Sequence, residues 1–164
     1  MNIKYLGADK FEIKAGPVKI ELGYKLTIDG FEIPGAGEYE KAGIGILGIP
    51  DEDNTIYVLC VEDINICYLG RIIRELSVDE VKEIGNIDIL ILPLGESGTL
   101  PTKKASGLVA KIDPKVVIPM LYSDLEEFKK IEGITDGEVD VYKVRAQDLP
   151  EDQRRAVILK PSGK

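Results

Sequence analysis

Residues 76–93 read LSVDEVKEIGNIDILILP, a helix signal followed at once by a strand signal. Ser77 and Glu80 have the spacing of a capping box, in which each side chain accepts a hydrogen bond from the other residue's backbone N–H. Leu76 before the cap and Val81 after it are placed to form a hydrophobic staple, and Gly85 fits the stop. The run Ile87-Asp88-Ile89-Leu90-Ile91-Leu92 is almost unbroken in its apolar character, as a strand covered on both faces requires. A helix joined to such a strand predicts an α/β arrangement.

Working outward from this stretch, the two halves of the chain differ in texture. Downstream, Thr102 is expected to cap a helix running to about Ile112, which Pro114 limits. Val116-Val117-Ile118 reads as a second buried strand. Ser123 and Glu126 repeat the capping-box spacing before a helix that Gly133 ends. Two late runs, 138–144 and 155–160, read as strands around a polar loop containing Pro150. Upstream, residues 1–70 read as strands and turns, with apolar alternation in 3–6, 11–14, 18–22, 26–28 and 31–33. A glycine-rich stretch from Gly35 to Gly48 then leads to a strand pair, 55–61 and 64–69. The expected organisation is one domain over residues 1–164, with a mostly β first half and a β/α second half.

Composition narrows the partners. The formal net charge is −8 and the pI about 4.7, so nucleic acid and anionic lipid are repelled over most of the surface. No apolar run approaches the roughly 20 residues that span a bilayer, and the first residues lack the apolar core of a signal peptide. The expectation is a cytoplasmic protein with no membrane and no nucleic-acid partner. With Glu62-Asp63 as a hairpin turn, Cys60 faces Asn65 and Val58 faces Cys67. The cysteines are then diagonal neighbours, unsuited to a disulfide, and are expected to be buried free thiols.

Six motifs occur in order: Tyr5-Leu6-Gly7, Gly35-Ala36-Gly37-Glu38-Tyr39-Glu40, Asn54-Thr55-Ile56-Tyr57, Ile66-Cys67-Tyr68-Leu69-Gly70, Leu92-Pro93-Leu94-Gly95 and Ile118-Pro119-Met120-Leu121-Tyr122. Together they resemble the small metallo-β-lactamase-like hydrolases related to the ascorbate-phosphate lactonase branch, closest over about residues 35–123. The resemblance implies an αββα sandwich, here truncated, and in active relatives a one- or two-metal site at one edge.

The resembled ligands do not carry over. The chain has no histidine. Where the resemblance implies Tyr-Leu-Gly-His, Ala8 takes the histidine position. The implied H-x-H-x-D-H loop is absent, since the chain runs from the strand near Ile28 almost directly to Gly37. Pro50-Asp51-Glu52-Asp53 stands where a histidine-aspartate pair is implied. His-Leu-Gly-Asp becomes Tyr68-Leu69-Gly70-Arg71, and Pro-Met-His-Tyr becomes Pro119-Met120-Leu121-Tyr122. Imidazole and carboxylate ligands hold zinc and lower the pKa of its bound water to about 7. Alanine and leucine offer no such donor, and Arg71 puts a permanent positive charge where a carboxylate belongs.

The vestigial positions are therefore Ala8, Tyr68, Arg71 and Leu121, with no catalytic residue, metal or cofactor expected. Arg71, Glu96, Asp51 and Asp53 are candidate ligand-binding residues. Arg71 is expected either to bind an anion or to pair with Asp51, Asp53 or Glu96. The loop Gly95-Glu96-Ser97-Gly98-Thr99 follows a buried strand, a usual site for ligand contacts in α/β sheets. The expected function is a non-catalytic metallo-β-lactamase-fold protein retained as a binding or assembly module. Loss of the metal loop should expose an apolar sheet face and favour a homo-oligomer or a protein partner. The alternative is a hydrolase with a rebuilt acidic or oxygen-ligand metal site in the same cleft.

Overall fold

The structure is a computed structural model describing residues 1–95 and 98–162. The first sheet is a run of short antiparallel strands: β1 (Asn2–Gly7), β2 (Lys10–Ala15), β3 (Val18–Leu22), β4 (Thr27–Ile28) and β5 (Phe31–Glu32). Each alternates strictly in its longer members, with Ile3, Tyr5, Phe11, Ile13, Ile20 and Leu22 buried and Lys4, Glu12, Lys14, Lys19 and Glu21 facing out. A period of two places these side chains on opposite faces of the sheet.

The second sheet begins with β6 (Gly37–Lys41), β7 (Ile44–Asp51), β8 (Asn54–Val61) and β9 (Ile64–Tyr68), each antiparallel to the one before it. Helix α1 (Val78–Ile84) leads to β10 (Ile89–Pro93), helix α2 (Thr102–Ile112) to β11 (Val116–Met120), and β9, β10 and β11 run parallel. Helix α3 (Glu126–Glu132) follows. The chain then returns β12 (Tyr142–Lys143) to the first sheet beside β1 and β13 (Arg155–Ala156) to the second beside β11.

The sheets pack face to face. Ile3, Phe11 and Ile20 from the first meet Leu59, Ile66, Ile91 and Ile118 from the second in one core. The opposite face of the second sheet, including Ile56, Cys67, Leu90, Leu92 and Val117, packs under Ile84, Leu108, Val109 and Phe128 of the helices. This double burial explains the unbroken apolar runs in β10 and β11.

The two-sheet sandwich and the change of texture near residue 70 follow expectation, with the truncation falling on one outer layer. Among the described residues α1, α2 and α3 all cover the second sheet. The outer face of the first sheet carries charge instead of the apolar surface expected there. Lys19 Nζ lies 2.7 Å from Glu21 and 3.6 Å from Glu12, and Lys14 lies 3.8 Å from Glu12.

Local departures have physical reasons. The glycine-rich stretch holds β6 and most of β7, because some of its glycines serve close packing. A Cβ on Gly48 would stand 2.3 Å from the Gly35 carbonyl oxygen. The Ser77 box forms as expected. Thr102 begins its helix after Pro101 and makes no cap. Ser123 does not cap α3 either: the Asp124 carboxylate accepts from the Glu126 N–H at 2.9 Å, and the helix starts two residues later than the box implies. The late runs form only β12, β13 and a bridge between Val139 and Leu159. The Cys60–Asn65 and Val58–Cys67 register is as expected, but Cys60 is exposed, being near the hairpin end, and only Cys67 is buried.

Candidate functional site

The turns after β1 and β9 and the β7–β8 hairpin meet at one edge of the sandwich. Parallel strands β9, β10 and β11 all end on this side, where the next residues have no ladder to complete and can serve a ligand. A cleft of about 560 Å³ opens here between the hairpin, the segment 70–74 and the loops at 23–25 and 32–35.

The four vestigial positions are tied into this edge by hydrogen bonds. Tyr5 is the hub: its hydroxyl donates to the Ala8 carbonyl at 2.7 Å and accepts from the Leu121 N–H at 3.3 Å. Ala8 and Leu121 both adopt left-handed backbone, with φ of 52° and 54°. Tyr68 donates its hydroxyl to the Asp9 carbonyl at 2.5 Å. Burial, and then the Asp9 carboxylate, push the Tyr68 phenol well above its ordinary pKa, so it stays a neutral donor.

Arg71 pairs with Asp9, not with Asp51 or Asp53. Its Nε lies 3.0 Å from Asp9 Oδ2. Asp9 sits in the turn that carries Ala8, and only the fold brings it to Arg71, 62 positions on. Asp51 is instead held by Arg74, whose Nε is 2.6 Å from Asp51 Oδ1. The Arg74 Nη atoms reach both oxygens of Glu80, at 2.9 and 2.6 Å. Glu80 also accepts from the Ser77 N–H, so one guanidinium joins the β7–β8 hairpin to the capping box of α1. Asp53 lines the cleft and is exposed. Glu96 and Ser97 lie outside the described residues.

Sequence reasoning missed Asp9, Arg74 and Asn54. Asn54 Nδ2 donates to the Leu69 carbonyl at 2.9 Å and to Asp51 at 3.2 Å, and its Oδ1 accepts from the Arg71 N–H at 3.1 Å. The Asn54-Thr55-Ile56-Tyr57 and Tyr68-Leu69-Gly70-Arg71 motifs are thereby locked together, a coupling no local pattern reveals.

A metal ion, which the resemblance implies, needs several lone-pair donors converging at bonding distance. The side chains at this edge do not fit that need. Ala8 and Leu121 have no donor atoms, Tyr68 holds its proton, and Arg71 is cationic. The two buried carboxylates, Asp9 and Asp51, are each engaged by an arginine. Among the described residues no group of three or more Cys, Asp or Glu is placed to hold a metal.

Two packed sheets with helices outside and a loop-built cleft at the strand ends define the metallo-β-lactamase sandwich. Residues 7–121 match the model of the beta-lactamase superfamily domain, and the chain belongs to that family. It is 25% identical over 138 residues to a metal-dependent hydrolase of Pyrococcus horikoshii, and 28% identical over 131 residues to one of Thermococcus onnurineus. These matches cover 79% and 74% of this chain but 57% and 58% of the relatives. The chain thus spans a little over half the length of the curated relatives it matches. In fold it is similar to a structure from Thermotoga maritima described as a candidate zinc-dependent hydrolase of the metallo-β-lactamase superfamily. That likeness has a TM-score of 0.81 at 22% identity, covering 98% of this chain and 100% of the other. A metallo hydrolase from Ignicoccus hospitalis gives a TM-score of 0.66 at 15% identity over 88% of this chain and 99% of its own. No helix among the described residues is long and apolar enough to cross a membrane.

Proposed function

We propose that this protein is a non-catalytic member of the beta-lactamase superfamily, kept as a binding module built on the old hydrolase scaffold. One observation carries the reading. The two buried carboxylates at the cleft edge are each neutralised by an arginine, Asp9 by Arg71 and Asp51 by Arg74. A guanidinium in this place repels a dication and satisfies the carboxylates that would otherwise attract one. Elemental analysis of the purified protein, with zinc, manganese and iron titrations and hydrolysis assays on simple esters and lactones, tests it. No stoichiometric metal and no metal-dependent turnover is the expected result; one equivalent of tightly held zinc or iron would overturn it.

The second reading is a hydrolase of unknown substrate, favoured by the names of the relatives in Pyrococcus and Thermococcus, which are metal-dependent hydrolases. In that case the Asp51-Glu52-Asp53 hairpin would hold an oxygen-bound metal, and Asp51 would have to give up Arg74. Calcium or magnesium binding that shifts the Asp51 and Asn54 resonances would favour it.

Assembly belongs to the first reading too. Its basis is the exposed apolar side chains Tyr24, Phe31, Ile73 and Val78, not a bare sheet face. Light scattering showing a strict monomer across the micromolar range would remove it.

A further inference from the structure

Among the described residues, three side-chain cations of unequal standing line the cleft: Lys25, Arg71 and Arg74. Lys25 lies 3.2 Å from Glu32, and Arg74 spends Nε and both Nη atoms on Asp51 and Glu80. Arg71 differs. Its side chain is 56% exposed and its Nε is fixed by Asp9, while among the described residues no partner meets Nη1 or Nη2. Its backbone is held as well, through the Asn54 amide. The outer edge of this guanidinium is a two-donor fork with its orientation already set. That geometry suits the two oxygens of a carboxylate.

The walls around it limit what else the ligand can be. Tyr24 is 89% exposed and Ile73 62% exposed, large apolar side chains left in water at the rim, and Pro34 extends the same surface. A ligand with an apolar body would cover them, and 560 Å³ suits a small organic molecule. Glu52 and Asp53, exposed on the hairpin at the cleft, have no ion-pair partner among the described residues. They penalise a second negative charge on the ligand and so disfavour phosphate esters relative to a monoanion.

We propose that the cleft binds a small organic monocarboxylate with an apolar body, its carboxylate held by the Nη edge of Arg71 and its body against Tyr24 and Ile73. The proposal rests on the reading of the protein as a binding module and supplies the ligand class that reading lacks.

Phenylacetate is a suitable probe, with benzylamine and inorganic phosphate as comparisons, followed by amide and arginine-side-chain NMR on the unaltered protein. Phenylacetate is expected to shift the Gly70, Arg71 and Thr55 resonances saturably at millimolar or lower concentration, with much smaller responses to benzylamine and phosphate. Arg71→Gln should weaken phenylacetate at least tenfold, and Arg71→Lys, which keeps charge without the fork, should recover only part of that loss. The proposal is overturned if phenylacetate produces no saturable shift, if benzylamine or phosphate binds as well, or if a folded Arg71→Gln binds normally. Titration of the unaltered protein decides the matter even if the variants do not fold. Metal content measured on the same sample separates the two ideas. Metal-free protein that ignores phenylacetate sinks this proposal alone, whereas stoichiometric metal sinks the non-catalytic reading alone if phenylacetate still binds.

Discussion

Asn54 fills the space that any side chain at Gly70 would need: a Cβ built there would lie 2.2 Å from Asn54 Oδ1. Gly70 also has φ of +64°, a left-handed conformation that glycine adopts freely. Gly70→Ala should destabilise by about 2–5 kcal/mol, from backbone strain and overpacking together. Chemical denaturation measures this. Because the clash is with one side chain, the double variant with Asn54→Ala should lose less than the two single losses added. Strict additivity would show that the Asn54 contact is not what restricts Gly70.

Arg74→Gln should destabilise by about 1–3 kcal/mol, less than the loss for a fully buried pair because the Arg74 side chain is 38% exposed. Asp51, 7% exposed, would remain without its cation. A urea midpoint equal to that of the unaltered protein would show that the clamp contributes nothing.

The same clamp sets an acid response. Hydrogen bonds from Arg74, and then from the Ser77 backbone, hold the Glu80 carboxyl down at about 2, against an ordinary 4.5. A carboxyl depressed in the folded state contributes its stability fully above the unfolded value of 4.5, and loses it as pH falls through the folded value of about 2. Urea unfolding between pH 5 and roughly 2 should show stability declining with acid. Arg74→Gln should flatten that decline, since the largest cause of the shift is gone.

The two thiols should separate by reactivity. Cys60 is exposed, whereas burial keeps the Cys67 thiol far above its usual titration range. A thiol reagent added to native protein should label one cysteine quickly and the second only on unfolding. Peptide mapping that finds both labelled at the same rate would contradict the buried placement of Cys67.

The legibility of this chain in its sequence follows the range of each interaction. The Ser77–Glu80 box and the β10 and β11 runs were readable because cap and burial pattern act within a few residues. The Ser123 box has the same spacing but fails, since Asp124 takes the N–H of Glu126 and moves the start. β6 and much of β7 were hidden in glycines that resemble a loop, although at Gly48 the reason is a neighbouring backbone. At the candidate site, the resemblance singled out Ala8, Tyr68, Arg71 and Leu121, and the fold links all four to one edge. The partners were not legible. Asp9 for Arg71, Arg74 for Asp51 and the Tyr5 hydroxyl for Leu121 are all long-range, chosen by how the sheets close.

The return of the chain to both sheets has a consequence for biosynthesis. Hairpins β1 to β5 can form as soon as they leave the ribosome, being joined by short turns. Yet the β1 edge stays open until Tyr142 and Lys143 arrive, and the β11 edge until Arg155 and Ala156 do. Open edges are templates for pairing with other chains. A chain cut short near residue 138 and released would therefore present two such edges at once, one on each sheet. Such a shortened chain should aggregate more readily than one that carries β12 and β13.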